Sequence, residues 1–165
     1  MKDIKSLNII QAKKILSRSF NLPLQINLIY AGGLSIDIGK IEKHEHLSKT
    51  GKVWEYVSGE YLFNIEGEWK LFKNDELLFE WHDFDYDQIQ LFFNEIQFKI
   101  KIKDIIFNKA ESKTVFLFNN NIKIIVPFSK DPDDDDWFFL FNNGTKVLFL
   151  SNGSIKIQKK KPSLR

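Results

Sequence analysis

The sequence predicts an α+β fold, mainly antiparallel β hairpins and a β meander, with one N-terminal amphipathic helix packed on the sheet. Three observations support this prediction. Phenylalanine occurs 16 times and methionine once, and aromatic side chains favour half-buried pleated surfaces. After Pro23 the spacing of apolar residues changes from a helical period to alternation. Turn residues then recur at intervals too short for crossover helices, which favours antiparallel pairing.

The predicted helix covers residues 6–20. Ser6 provides an N-cap, and four apolar side chains fall on one face: Leu7, Ile10, Ile15 and Leu16. Pro23 prevents the helix from continuing. We therefore expect the helix to lie on the sheet, with its basic residues facing solvent.

The strands follow in three groups. Residues 25–30 and 34–38 form a hairpin, and residues 42–52 form a polar loop. A meander of four strands is predicted at residues 53–57, 60–65, 68–73 and 76–81. Residues 97–103 form a strand with three lysines on one face, so that face is wet or the strand lies at an edge. Turns containing Asn or Gly join the last strands, at residues 114–118, 122–126, 137–141, 146–150 and 154–158.

One segment is ambiguous, and the end of the chain is expected to be loose. Residues 85–95 fit either a short helix or an irregular strand. We expect a single domain over residues 1–158 and a loose basic tail over residues 159–165. The lysine run 159–161 is interpreted as a solvated terminus because no aromatic stacking platform accompanies it.

Composition excludes several classes of protein. A net charge of +2 argues against generic nucleic-acid binding, which needs a strongly basic face. The absence of cysteine excludes disulfides, thiolate metal sites and a cysteine nucleophile. The start lacks a signal-peptide core, and no stretch approaches about 20 apolar residues. We therefore expect a cytoplasmic protein with no membrane partner, and its excess of lysine over arginine is typical of AT-rich bacterial genomes.

The most concentrated charge lies in a loop between two predicted strands, residues 131–136, which contains five aspartates. Holding like charges together is unfavourable, so this loop is either simply solvated or shaped to bind a basic partner. The first candidate partner-binding patch consists of Asp133, Asp134, Asp135, Asp136 and Trp137. Trp137 also fits a core position, because large aromatic residues are usually buried.

A second candidate patch mixes acids with aromatic residues. Its members are Glu80, Trp81, Asp83, Asp85, Tyr86 and Asp87. Aromatic side chains anchor protein interfaces, and carboxylates speed encounter with a basic partner. The alternative is that the aromatic residues of this segment, including Phe84, belong to the core at a chain reversal.

No metal site or cofactor is predicted. On a strand His44 and His46 would share a face and with His82 would offer three zinc ligands, but the spacing is unspecific and exposed histidines are favoured. The aspartates at 131, 133 and 135 have calcium-loop spacing. However, Asp136 stands where that motif has glycine, and Asn142 where it has glutamate.

The sequence contains no catalytic signature. There is no Gly-rich phosphate loop, nucleophile elbow or Ser-His-Asp context. A hydrolytic pair could be drawn from Glu80, Asp83, Asp85 and Asp87, but sequence spacing does not show the separation that such chemistry requires. We predict that the protein is not an enzyme.

In its leading amphipathic helix, antiparallel sheet and acidic segments at residues 83–87 and 131–136, the chain resembles immunity proteins of bacterial polymorphic-toxin and contact-dependent growth-inhibition systems. The resemblance implies a monomer that binds the C-terminal domain of a cognate toxin. Many such toxins are nucleases with basic clefts, which an acidic and aromatic surface would occlude. The alternative function is a structural or assembly module that binds a partner through a sheet edge, with residues 97–103 as one candidate edge.

Overall fold

A computed structural model describes residues 3–83, 85–131 and 134–159 of the 165-residue chain. Within these residues the α+β prediction is confirmed. The strands are β1 (Asp3–Leu7), β2 (Leu24–Leu28), β3 (Leu34–Ile38), β4 (Glu42–Leu47), β5 (Val53–Ser58), β6 (Tyr61–Ile65), β7 (Lys70–Lys73), β8 (Glu76–Glu80), β9 (Ile102–Asn108), β10 (Lys113–Phe118), β11 (Ile122–Pro127), β12 (Asp135–Phe141), β13 (Lys146–Leu150) and β14 (Ile155–Lys159). The α-helices are α1 (Ile9–Leu16) and α2 (Tyr86–Ile96), and short 3-10 helices cover Ser17–Ser19 and Tyr30–Gly32.

Two antiparallel sheets pack against each other. The first has the strand order β1-β14-β13-β12-β6-β3-β2, and the second has the order β8-β7-β11-β10-β9. The two ends of the chain build the first sheet and the middle of the chain builds the second. The chain therefore crosses between these sheets after β6 and returns after β11. Strands β4 and β5 form a separate two-stranded sheet.

Aromatic side chains fill the space between the two larger sheets. Phe63 of β6 and Trp137 of β12 belong to the first sheet, and both meet Phe116 of β10 edge to face, with ring centroids 5.3 and 5.4 Å apart. Phe149 of β13 stacks on Trp137 at 5.2 Å. Each such pair stabilises a fold by about 0.5–1.5 kcal/mol beyond the area that it buries. The phenylalanine-rich composition thus reflects a core shared by two facing sheets.

The N-terminal helix begins later than predicted. Asn8, not Ser6, caps α1 and accepts a hydrogen bond from a backbone N–H of the first turn. Residues 3–7 instead form β1, which pairs with β14 near the other end of the chain. Leu16 is buried as expected, whereas Ile10, predicted on the buried face, is 80% exposed. Long-range strand pairing has overridden a local helical pattern.

Two other predicted elements are wrong. Residues 42–52 are not a polar loop: they contain β4, which pairs with β5. No described side chain of these two strands is buried, so the sequence lacks the alternation that marks a half-buried strand. Residues 97–103 are not one strand: the chain turns after α2 with Phe98 at φ 61°, and only residues 102–103 belong to a strand, as the start of β9.

Several hairpins are confirmed, but the meander is not. The hairpins β2–β3, β7–β8, β10–β11 and β12–β13 pair as expected. In the predicted meander, β5 pairs with β4, and β6 lies between β3 and β12. A strand inserted between distant partners carries no local turn signal, so its neighbours cannot be predicted from spacing.

The ambiguous segment at residues 85–95 is helical, as α2. Asp85 caps the helix by accepting a hydrogen bond from the Gln88 N–H at 3.2 Å. Lys159, placed in the tail by the sequence, is the last residue of β14. The rest of the tail, residues 160–165, lies outside the described residues, as do Phe84 and Asp133. Among the residues that are described, no helix has the length and apolar character to cross a lipid bilayer.

Candidate functional site

The two crossings between the sheets border one surface cleft, which we call the acidic cleft. Its volume is about 800 Å³, within the range of ligand pockets. Residues of the connection from β6 to β7 and of the connection from β11 into β12 line it. Five carboxylates line it: Glu66, Glu68, Asp134, Asp135 and Asp136. Trp81, Phe128 and Lys130 contribute to the same lining.

Strand pairing accounts for the meeting of these two connections. Ile65 of β6 pairs with Trp137 of β12 in an antiparallel register, and this is the last pair at that end of the two strands. Glu66, which follows Ile65, and Asp136, which precedes Trp137, both line the cleft. Carboxylates far apart in sequence therefore share one cleft.

Two serines hold the acidic loop against the fold. The Ser129 hydroxyl donates to Asp134 Oδ2 at 2.8 Å, and its backbone N–H donates to Asp136 Oδ1 at 2.7 Å. The Ser151 hydroxyl donates to the same Oδ1 at 2.7 Å, and its backbone N–H donates to the carbonyl of Asp134 at 3.1 Å. These hydrogen bonds hold Asp134 and Asp136 in the lining of the cleft.

Asp136 is the buried carboxylate of the cleft, with 3% of its surface exposed. The register of β12 against β13 shifts between Asp135 and Trp137. A bulge of this kind changes the direction in which a side chain points. It explains how two consecutive residues, Asp136 and Trp137, are both buried, although consecutive side chains of a regular strand point to opposite faces.

The environment of Asp136 is electrostatically unfavourable. Burial raises the pKa of its carboxyl above the ordinary value, while the hydrogen bonds from Ser129 and Ser151 lower it. The charges of Asp134 and Asp135 raise this pKa further. Its Oδ2 atom is buried and has no hydrogen-bond partner among the described residues. Leaving a buried acceptor unpaired costs free energy.

Trp81 lies in the cleft lining with a fixed orientation. Its Nε1 donates to the carbonyl of Ala31 at 3.0 Å, and its backbone N–H donates to the carbonyl of Trp69 at 2.9 Å. Gly32 packs against the ring, since a Cβ on Gly32 would lie 3.2 Å from both Cδ1 and Nε1 of Trp81. The half-buried indole is therefore a preorganised aromatic surface.

The carboxylates of the acidic cleft have few counter-charges among the described residues. None of the five forms an ion pair with a lysine or arginine within residues 3–83, 85–131 and 134–159. Glu68 lies 3.9 Å from Nε2 of His82, and Glu66 accepts a hydrogen bond from the side chain of Asn64 at 2.8 Å. Lined by five acids and by Lys130, the cleft has a negative potential that attracts cations.

The structure brings together part of each predicted patch. Trp81 from the second patch and Asp134, Asp135 and Asp136 from the first line the same cleft. Trp137 was expected to contact a partner, but it is fully buried between the sheets. That position prevents direct contact with a partner in the folded protein. Asp133 lies outside the described residues.

The remaining acids of the second patch have structural partners. Glu80 pairs with a lysine of β7 at 3.6 Å, and Asp83 accepts a hydrogen bond from the Glu80 N–H at 2.8 Å. Asp85 caps α2, and Asp87 lies in its first turn, where negative charge interacts favourably with the helix dipole. None of these four acids lines the acidic cleft. A second cleft, of about 570 Å³, lies beside Lys123, and none of the four lines it either. Tyr86, on the same helix, is exposed.

The histidines do not converge. His44 lies on β4, where its Nε2 is 2.8 Å from the hydroxyl of Ser58, and His46 follows on the same strand. The ring of His82 lies beside that of Trp81, tilted by 56°, with ring centroids 4.6 Å apart. Across the described parts of the chain, no three His, Asp or Glu side chains are arranged to hold a metal ion. The same holds for Asp131 and Asp135, the described members of the set with calcium-loop spacing.

Sequence reasoning missed Glu66, Glu68 and Phe128. Glu66 and Gly67 lie between two predicted strands of the meander, residues 60–65 and 68–73, whereas in the structure they begin the crossing from the first sheet to the second. Two carboxylates that flank a glycine at the end of a strand are a weak sign of a binding site unless the pairing of β6 with β12 is known. Phe128 is half-buried against Phe149, with ring centroids 5.2 Å apart.

Chemically, the acidic cleft suits a cationic group that also has apolar surface. Its carboxylates supply acceptors and negative charge, and Trp81 with Phe128 supplies aromatic contact. Comparisons of the chain with protein-family models, with curated protein sequences and with solved structures found no match.

Proposed function

We propose that the protein is an immunity protein that binds a cognate bacterial toxin and neutralises it by covering a basic active site. The observation that carries the proposal is the acidic cleft, whose carboxylates have no lysine or arginine partner among the described residues. Toxins that cleave nucleic acid hold phosphates with lysine and arginine side chains. A fixed surface of opposite charge competes with that substrate.

In this proposal, charge and shape have separate roles. The negative potential of the cleft steers the basic toxin and accelerates association. Because Asp134, Asp135 and Asp136 line a concave surface, the cleft receives protruding basic side chains from the rim of the toxin site. Contacts with Trp81 and Phe128 then slow dissociation, since buried aromatic groups dominate interface energetics.

The proposal assigns the protein to the bacterial cytoplasm as a monomer. It requires neither catalysis nor a cofactor, and it involves no nucleic-acid or membrane partner. The toxin is identified by position, since an immunity protein is made together with the toxin that it neutralises. The protein encoded immediately upstream in the source genome is therefore the partner to test.

The experiment measures binding of that upstream protein, and of its isolated C-terminal domain, to the immobilised chain at several salt concentrations. We expect tight one-to-one binding that weakens as salt increases and that abolishes the toxic activity of the partner. A neutral protein of similar size is the control for nonspecific capture. Absence of binding at low salt, or binding that leaves the toxicity intact, would overturn the proposal.

A second candidate function, an assembly module that binds through a sheet edge, is favoured by the β4–β5 hairpin. Trp54 and Tyr56 lie on one face of this hairpin, opposite His46 and His44, and both aromatic side chains are more than half exposed. The hairpin replaces residues 97–103 as the candidate edge. Sedimentation over a range of concentrations tests it: self-association that is lost in a Trp54→Ser, Tyr56→Ser variant supports assembly, and a monomer at all concentrations supports the inhibitor.

A further inference from the structure

The acidic cleft contains an acceptor that the described chain does not satisfy. Asp136 is almost completely buried, its Oδ1 accepts hydrogen bonds from Ser129 and Ser151, and its Oδ2 accepts none from the described residues. Buried polar atoms in folded proteins nearly always have a partner. Because Asp136 also lines the cleft, a bound group that donates hydrogen bonds would complete this site.

The other lining residues indicate which donor is suitable. Asp134 and Asp135 share the lining of the cleft with Glu66 and Glu68, which come from a different connection between the sheets. A planar group with several donors can reach acceptors on more than one side at once, whereas an ammonium acts as a compact point charge. Trp81, fixed by its hydrogen bond to Ala31, offers a flat surface on which a guanidinium stacks.

From this chemistry we infer that the acidic cleft is a guanidinium site, which receives an arginine side chain from the protein that it binds. The arginine stacks on Trp81 and donates hydrogen bonds to Asp134 and Asp135, and Asp136 Oδ2, which is buried in the unbound cleft, becomes its innermost acceptor on binding. At about 800 Å³ the cleft is larger than one side chain, so it also accommodates the residues that flank the arginine. The inference rests on the proposed function for the identity of the partner.

A metal ion does not account for the same features. The acids of the cleft are not arranged as ligands for a metal, within the part of the chain that the structure describes. Hard cations such as calcium and magnesium take shells of oxygen ligands and do not use aromatic surfaces. A guanidinium uses both the acidic and the aromatic parts of the lining.

The test is a titration of the full chain with small probes, followed by the indole N–H signals in ¹H–¹⁵N NMR spectra. The probes are N-acetyl-arginine amide, N-acetyl-lysine amide and the neutral isostere N-acetyl-citrulline amide. We expect the arginine probe to shift the Trp81 signal saturably, the lysine probe to bind at least about tenfold more weakly, and citrulline to leave the signal unchanged. Trp54, exposed on the β4–β5 hairpin, reports nonspecific effects, and Trp81→Phe assigns the signal.

A matched pair of variants separates the cleft from the overall charge. Asp134→Asn with Asp135→Asn should weaken the arginine probe at least about tenfold. Glu45→Gln with Glu55→Gln removes the same charge from the hairpin and should leave the affinity unchanged. An unmoved Trp81 signal, equal binding of the lysine or citrulline probe, or equal loss in both variant pairs would overturn the guanidinium site.

Failure of this inference is distinguishable from failure of the proposed function. If the upstream toxin binds and is neutralised while the arginine probe does not bind, the guanidinium site is wrong and the immunity role stands. If the arginine probe binds in the cleft but no upstream protein is captured, the guanidinium site stands and the immunity role is wrong.

Discussion

The indole Nε1 of Trp137 in the first sheet donates a hydrogen bond to the hydroxyl of Thr114 in the second sheet, at 3.2 Å, and both side chains are fully buried. Phe116, two residues along β10, meets the same indole edge to face. The contact connects the strand that starts at the acidic loop to the opposite sheet. The position of the acidic cleft thus depends on this part of the core.

Replacing Thr114 with valine should destabilise the fold by about 1–3 kcal/mol, because it leaves a buried indole N–H without an acceptor. Thr114→Ser retains the acceptor and removes one methyl group, so we expect a smaller loss, of about 1 kcal/mol. Chemical denaturation followed by far-UV circular dichroism measures both values. Equal losses in the two variants would show that the hydrogen bond contributes little.

The raised pKa of Asp136 predicts a specific pH dependence of stability. A carboxyl whose pKa is higher in the folded state binds its proton more tightly there, so protonation stabilises the fold. This contribution is fully present below the ordinary Asp pKa and is lost as the pH rises through the raised folded value. Asp136→Asn removes the dependence. The stability of the variant relative to the parent should therefore be highest near about pH 7 and fall as the pH is lowered to about 4.

Asp37 provides a comparison outside the cleft. Burial raises the pKa of its carboxyl, against hydrogen bonds from Gly59 and Ser35 that lower it. Asp37→Asn should show a pH dependence of the same sign, and the effects of the two substitutions should be additive because the sites share none of their described hydrogen-bond partners. A stability difference for Asp136→Asn that does not change with pH would contradict the raised pKa.

An element of this fold could be predicted from the sequence when neighbouring residues alone determine it, and not when distant strands determine it. Hairpins with short Asn or Gly turns, such as β10–β11 and β12–β13, follow from neighbouring residues alone. The pairing of β1 with β14 and the insertion of β6 between β3 and β12 are set by the whole core. Ile10 is an example. It lies on the predicted helix, but no other described element of the fold covers its side chain, which is 80% exposed.

The sequence predicts the acidic and aromatic residues of the candidate site, but it does not predict how they are arranged in space. The aspartates and Trp81 are visible in the sequence, whereas their meeting in one cleft follows from the two crossings between the sheets. Asp136 is buried next to Trp137 at a bulge of β12, which no residue pattern in the loop reveals. Glu66 joins the site because of the register between β6 and β12.

The β4–β5 hairpin should open independently of the rest of the protein. A two-stranded sheet without a buried face is marginally stable, and Glu45 lies directly opposite Glu55, which is unfavourable. In hydrogen exchange followed by NMR, we expect the paired amides of β4 and β5 to be at least about a hundredfold less protected than those of β6 and β12. Equal protection in all four strands would show that the hairpin unfolds together with the core.

Charge reversal in the acidic loop should slow association with the toxin. Asp134→Lys with Asp135→Lys places two cations in the cleft lining, and we expect the association rate to fall about tenfold or more at low salt and to depend less on salt. Glu45→Lys with Glu55→Lys changes the net charge equally on the hairpin and should have a much smaller effect. Surface plasmon resonance at several salt concentrations measures both. If the two charge reversals slow association equally, the net charge of the protein, and not the acidic cleft, determines the association rate.

The orientation of Trp81 can be disturbed without changing any group that contacts the partner. Gly32 has φ +80°, and a Cβ there would lie 3.2 Å from the Trp81 ring, whereas Gly51 has φ +79° with nothing within 4 Å of its added Cβ. Alanine at either position should cost about 1–2 kcal/mol of stability from backbone strain. Gly32→Ala should in addition shift the Trp81 indole NMR signal and weaken toxin binding, because the ring must move. If Gly51→Ala weakens binding equally, or if Gly32→Ala leaves binding intact, the fixed indole is not part of the binding surface.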